Sequence, residues 1–426
     1  MRPFAAVVAV VSIGMLSGCA SSAGSADAGT MRADVDARTV ALADAPALAA
    51  VANASRVLGM AVLAATADEG NTVVSPSSLQ VALSMLSEGA RGVTLAELET
   101  ALGGTGAERR DAFAALRGAL APLDGDPKDA TGDDIPDDPI VHLADQVVID
   151  EGFTVDDTFL ETLADVYDAG VQQVDLGGEE GKKVLDAWVN HHTGGLIPQS
   201  AITPDDRLRV VFQDSILLAA RWERPFDPNV TSEQPFTLSD GQRVDVDTMR
   251  GLQDVAYAEV DGWRAARLPY VAALHADVIL PPEGTDPAAA SPGLLAALDD
   301  ALDAATAESV ELAIPVIDTS GSVDVLEVLG DLGIGTLSCS AGNADLSGIA
   351  GTPGDLCVSQ ATQQAVLRID EEGTVAAAVT ELGAAATGAR VDPPHVLRLD
   401  RPFLFQVTHN DTNWMLFTAA VRDPRA

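Results

Sequence analysis

The spacing of apolar and polar positions divides the chain into segments of two periods. Residues 46–66 carry apolar side chains at helical spacing and predict a first amphipathic helix, and residues 71–74 read as a short strand. Ser75-Pro76 opens the next helix, with proline in its first turn. Gly89 and Gly92 interrupt that pattern, and Thr94 with Glu97 has the spacing of a capping box for a third helix. Residues 141–176 pass from strand to helix to strand, and residues 184–198 read as a helix and turn. Residues 208–228 form the continuous apolar run expected of a strand buried on both faces. Strands and turns follow at 234–238, 266–271 and 276–284, then a helix at 294–305 and a strand with a helix over 310–334.

One late stretch, residues 369–394, fits either period. Its alanines favour a helix ended by Gly383. Taken as a strand, it puts Thr374, Ala376, Ala378, Thr380, Leu382 and Ala384 on one face, all uncharged and none bulky, with Glu381 on the other. Such a segment can remain an exposed loop, having few large apolar groups to hide, and can also enter a sheet, because nothing on that face resists burial.

Composition narrows the class. The 426 residues are 47% hydrophobic, enough to bury a substantial core in one large domain. The formal net charge of −39 argues against nucleic-acid partners and against anionic membrane surfaces. At the N-terminus, Arg2, an apolar run at 4–16 and Leu16-Ser17-Gly18-Cys19 read as a signal peptide, too short to span a bilayer as a mature helix. The final four residues resemble the bacterial lipobox, which implies cleavage before Cys19 and lipidation of that cysteine. Residues 1–18 are thus a lipoprotein signal peptide, residues 19–45 a flexible tether, and residues 46–426 the folded domain. The expected localisation is export, with a lipid anchor at the cell envelope or release outside it.

Candidate chemistry is sparse. Residues 124–138 hold seven aspartates, but their spacing does not match a calcium loop, and the segment reads as a solvated, mobile insertion. His191 and His192 are adjacent, do not share a helix face, and read as surface residues, so no metal is expected. No nucleophile-elbow motif surrounds Ser75 or Ser78, and GGTG at 103–106 lacks the rest of a phosphate loop. With Cys19 lipidated, Cys339 and Cys357 remain as an even pair in an oxidising compartment, either as a disulfide or as two separate buried thiols.

Longer motifs carry a family resemblance. VLRIDEEGTVAAAVT at 366–380 resembles the hinge of the serpin reactive loop, and RPFLFQV at 401–407 the strand after that loop. RWERPF, NADLSGI, WVNHHTGGLIP and the SP-S helix at 75–78 continue the match from about residue 48 to Pro424. The chain is identified as resembling an inhibitory serpin. The resemblance implies an α+β fold of three β-sheets surrounded by about nine helices, with an exposed reactive loop near the C-terminus. It implies no enzyme activity and no cofactor, but suicide inhibition of a serine protease, in which the cleaved loop inserts into the main sheet.

By the family's spacing the scissile bond lies between Thr387 and Gly388, with Ala386 and Arg390 the next candidates. A small residue there implies an elastase-like or subtilisin-like target. The hinge comprises Glu371, Glu372, Gly373, Thr374, Ala376, Ala378 and Thr380; the sheet-opening region comprises Ser75, Ser78, Asp186, Trp222 and Gln363. Gln363 stands where the family usually has histidine, Asp186 where it usually has asparagine, and Val375 where it usually has an acid. With Lys128, Lys182 and Lys183 the only lysines, the heparin activation of some serpins is not expected. The expected state is a monomer that meets membranes only through its lipid. The alternative function is a non-inhibitory serpin used for binding or as a chaperone; a hydrolase has no visible triad.

Overall fold

A computed structural model describes residues 30–67, 70–131, 135–374 and 395–426. Among them are nine α-helices and sixteen strands in two hydrogen-bonded sets. The first set, the main sheet, runs in the order β1 (Thr30–Met31), β4 (Gly170–Val174), β3 (Ile140–Asp150), β5 (Val210–Arg221), β13 (Gly373–Thr374), β12 (Thr362–Ile369) and β11 (Ile317–Asp324). The second runs β14 (His395–Arg398), β10 (Glu308–Pro315), β7 (Arg243–Val260), β8 (Trp263–Pro269), β9 (Leu274–Leu280), β15 (Phe403–His409), β16 (Trp414–Val421) and β2 (Thr72–Val74). Strand β7 belongs to two sheets: its first part pairs with β6 (Ser232–Thr237) and β10, and residues 256–260 pair with β8. The fold is therefore α+β with three sheets.

The main core lies between the sheets and a layer of helices. Strands β15 and β16 are buried along their whole length and bring Phe403, Phe405 and Trp414 into it. Helix α1 (Leu48–Ala65) packs on β16 and on α2 (Pro76–Gly89). It is long and apolar enough to cross a membrane by composition, yet more than half of it is buried inside the fold. Ser75 caps α2, accepting from the Ser78 N–H, with Pro76 in the first turn.

Four expectations change. Helix α3 (Gly92–Leu102) begins after Arg91, not at Thr94: Gly92 takes φ +56° and lets the helix start early. Thr94 and Glu97 lie inside it and hold Thr336 instead of forming a cap. The second half of the stretch read as a tether is docked: β1 adds to β4, and the Arg38 N–H donates to the Asp165 carbonyl at 2.8 Å. The aspartate-rich segment is built into the body on either side of residues 132–134. Helix α4 (Gly106–Leu120) leads to it, Asp126 caps α5 (Pro127–Ala130), and Arg221 donates to the Ile135 carbonyl at 2.9 Å. His192 is only partly exposed at the end of α7 (Glu179–His192). Its Nδ1 lies 3.0 Å from His142 Nε2 on β3, and its ring is 4.5 Å from Trp188. Burial first, then the neighbouring His142 and His191, push its pKa down to about 3.

Candidate functional site: a partly open sheet

Among the described residues, strands β5 and β12 are linked in the main sheet only through the two residues of β13 at one end. Below Thr374 they stand apart and line a cleft of about 170 Å³, closed underneath by α2. Two strands held open at full length would leave a row of buried backbone groups without ladder partners.

At the closed end, Gly373 faces Arg221 and Thr374 faces Ala220, while Thr374 also pairs with Ile369. A Cβ on residue 373 would lie 2.1 Å from the Ala220 carbonyl oxygen, so only glycine passes there. Thr374 is 2% exposed, and its hydroxyl is hydrogen-bonded to that of Tyr270. Burial pushes the Tyr270 phenol pKa well up, against the Thr374 hydrogen bond. The turn before β13 is pinned from three sides. The Trp222 and Phe226 N–H groups donate to the Glu372 and Glu371 carbonyls, each at 2.8 Å. The Trp222 indole donates to the Asp370 carbonyl at 3.0 Å. Asp370 accepts from the Glu372 and Gly373 N–H groups, yet burial still raises its carboxyl pKa. Glu371 accepts from the Thr231 hydroxyl, and Glu372 lies 3.7 Å from Arg221. Trp222 stacks on Tyr270 with ring centres 4.4 Å apart and planes 11° from parallel, and together they close the sheet over Thr374.

Midway down, polar side chains meet beneath the cleft. Gln363 makes a double link to Ser75, accepting from its N–H at 3.2 Å and donating to its carbonyl at 2.7 Å. The Ser75 hydroxyl donates to the Leu416 carbonyl at 2.8 Å, tying α2 to β16. The Ser78 hydroxyl donates to Asp214 on β5, which faces Asp145 on β3. Arg117 pairs with Asp145, and one oxygen of each carboxylate has no other donor. Desolvation first, then the neighbouring Asp145, raises the Asp214 pKa well above the carboxylate range, so a proton held between the two carboxyls satisfies both.

The far end is bridged by β12. The Ala201 N–H donates to Gln364 at 2.8 Å, and Gln360 exchanges hydrogen bonds with Thr203 at 3.0 and 2.8 Å. Asp186 is not in the Ser75 cluster. It sits on α7, pairs with Lys182 and accepts from the Ser200 N–H at 2.8 Å, fixing the turn that the glutamines reach. A disulfide joins Cys339 to Cys357 with Cα atoms 4.9 Å apart, beside a bridge between Ser338 and Val358 ahead of β12.

Ser75, Ser78, Gln363, Trp222, Glu371, Glu372, Gly373 and Thr374 thus line or flank one slot. Ala376, Ala378, Thr380, Ala386, Thr387, Gly388, Arg390 and Cys19 lie outside the described residues. Sequence reading missed Tyr270, Asp214, Gln360 and Gln364. Only Asp214, one acid inside an apolar run, gave a signal before the fold was known.

Comparison with known proteins follows the same outline. The model of the serpin (serine protease inhibitor) family matches residues 54–424. The chain is similar to the leukocyte elastase inhibitor of Bos taurus, 28% identical over 369 residues, covering 83% of this chain and 93% of that protein. It is 30% identical over 378 residues to Serpin-Z3 of Arabidopsis thaliana, covering 84% and 92%. Among solved structures, the thermophilic serpin Tengpin in its native state superposes with a TM-score of 0.76 at 23% identity, covering 92% of this chain and 97% of that one. Serpin48 of the insect Tenebrio molitor gives 0.70 at 26% identity, covering 90% and 99%. With the family pattern running through most of its length and its main sheet held open at one slot, the chain belongs to the serpin family.

Proposed function

We propose that this serpin inhibits serine proteases as a suicide substrate, its loop completing the main sheet after cleavage. The observation that carries this reading is the slot itself, entered by Gly373 and Thr374 and, among the described residues, bordered below them by β5 and β12 with no strand between. A strand continued from Thr374 runs antiparallel to both neighbours. Each residue gained on it is one step back on β5 and on β12, so residue 376 meets Leu218 and Leu367 and residue 378 meets Ile216 and Ala365. Residue 380 then arrives between Asp214 and Gln363, above the polar cluster. The sequence places Ala376, Ala378 and Thr380 there: two small apolar groups over apolar neighbours, and a hydroxyl over a carboxyl and an amide.

At about 3.3 Å per residue, a dozen inserted residues carry an acylated protease roughly 40 Å along the sheet. The target takes a small residue before the scissile bond, in the manner of elastase-like or subtilisin-like enzymes, with cleavage between Thr387 and Gly388. The name of the bovine relative, an elastase inhibitor, agrees with that class. The protein works outside the cytoplasm, held by lipid on Cys19.

The test mixes the mature protein with elastase, subtilisin and trypsin. A covalent complex that survives SDS and boiling, with loop cleavage mapped at residue 387, is the expected result. Cleavage of the loop by every protease with no complex formed overturns the proposal.

A further inference from the structure

Outside the slot, α1, β8, β9 and α8 (Pro292–Ala304) meet around ionic side chains that loop insertion does not use. Arg267 on β8 donates to both oxygens of Asp277 on β9 at 2.8 Å, to Asp299 on α8 at 2.6 Å, and also to Asp303 at the rim. Arg56 on α1 holds the other oxygen of Asp299 at 2.8 Å. His275 shares a strand face with Asp277, two residues away, and is 6% exposed. Its Nδ1 lies 2.8 Å from Asn410 Oδ1. That oxygen only accepts, so Nδ1 carries the ring proton and Nε2 presents a lone pair.

Nε2 is buried with no hydrogen-bond partner, 3.8 Å from Asp277 Oδ2, which is also an acceptor. With the ring neutral, two buried acceptors thus face each other, an arrangement native interiors rarely leave. One ligand atom each from His275, Asp277 and Asp299 falls within a 4.8 Å span. A cleft of about 640 Å³, lined by Arg56, Arg267, His275 and Asp303, reaches His275 from solvent.

We propose that His275 Nε2 and the carboxylates of Asp277 and Asp299 form a site for a divalent first-row transition-metal ion. One imidazole with two carboxylates suits zinc, cobalt or manganese, whereas calcium and magnesium prefer oxygen alone. Ligand atoms about 2.1 Å from a tetrahedral ion sit roughly 3.4 Å apart, so the 3.8 Å gap between Nε2 and Asp277 closes by a few tenths of an ångström, and the full set, which spans 4.8 Å, draws in by roughly 1.4 Å on binding. The Asn410 hydrogen bond already fixes the ring orientation and tautomer, as outer partners of metal-bound histidines do. Arg267 competes for the same carboxylates. Two arginines against Asp277, Asp299 and Asp303 leave one negative charge over, however, and when Arg267 Nη2 yields Asp277 Oδ2 and Asp299 Oδ1 to the ion, Arg267 keeps its bonds to Asp277 Oδ1 and Asp303.

Cobalt titration of the whole mature protein tests this, read by the visible absorption of an imidazole-ligated Co²⁺ and by its displacement with Zn²⁺. A saturable band is expected, lost in His275→Gln and weakened about 10- to 100-fold in affinity by Asn410→Ala. Equal Co²⁺ and Zn²⁺ binding by wild type and His275→Gln overturns the site and assigns the ions to the acidic surface. If His275→Gln does not fold, crystals of the unaltered protein grown with zinc decide. An anomalous peak about 2.1 Å from His275 Nε2 supports the proposal, and peaks at surface carboxylates alone overturn it.

Discussion

Thr374 and Asp214 are the two residues on which the slot turns. Thr374 is already inside the sheet, beneath the stacked Trp222 and Tyr270 rings, so Thr374→Arg must bury a cation with no partner at a cost of about 3–5 kcal/mol. The expected outcome is a substrate: the loop is cut, but the yield of SDS-stable complex falls at least about ten-fold relative to wild type, measured on gels at equal protease. Asp214 makes the opposite kind of prediction. Its folded pKa lies above that of an unfolded aspartate, so the stability it contributes is complete below the carboxylate range and is lost as pH rises through the folded value. Asp214→Asn keeps the shape and the hydrogen bonds without a proton to lose. Its melting temperature should equal that of wild type near pH 4 and exceed it increasingly toward pH 8, by no more than about 1.4 kcal/mol per pH unit. A constant difference across that range would mean that Asp214 is not the group that titrates. Thr374 was legible as a hinge residue from the flanking motifs that resemble the serpin family, the small-residue pattern alone fitting a helix equally well. The role of Asp214 was not, because its partners Ser78 and Asp145 are far from it along the chain.

At the scale of elements, the described residues put no strand between β5 and β12 below Thr374. Cutting the loop between residues 384 and 390 frees a segment to fill the cleft, making on the order of ten ladder hydrogen bonds at about 1 kcal/mol each. Calorimetry on the cleaved protein should show a melting temperature at least about 10 °C above the intact form. Ordinary folds stay level or lose stability when nicked, so an unchanged or lower value would mean a sheet with no strand left to gain. The Gln360 and Gln364 contacts with the 201–203 turn span the far end of the cleft and must part before insertion finishes. The disulfide closes a loop with 18 residues of separation just before β12, restricting the unfolded chain by about 3 kcal/mol on the entropic account.

For the molecule as a whole, charge sets the working conditions. Acidic residues number 64 against 25 lysines and arginines, so single arginines serve several carboxylates, as Arg267 does. If Cys19 carries the lipid, full-length wild type expressed in a bacterial host sediments with membranes and leaves them only in detergent. Cys19→Ala should then appear in the soluble fraction with its inhibitory activity intact. Equal sedimentation of the two would remove the anchor from the account. Residues 30–45, read from composition as tether, are docked instead, because β1 and Arg38 bind the edge of the main sheet and its neighbours.

The sequence by itself determined many of the helices and strands and the two cysteines available to pair, since these rest on local period or residue chemistry, whereas the fold class came from the resemblance of its longer motifs to the serpin family and the strand β7 was not read at all. It also determined that the segment after Thr374 is small and uncharged on one face, which is all that a buried strand demands of it. Tertiary structure alone decided which strands flank the gap, that Tyr270 closes over Thr374, and that Asp214 lies against Asp145. It also moved the expected cap at Thr94 into the interior of α3 and brought His275, Asp277 and Asp299 together. Local pattern encodes which side of an element is buried, but not what it is buried against. Register and packing are settled by contacts between residues a hundred or more positions apart, whose energies no window of sequence contains.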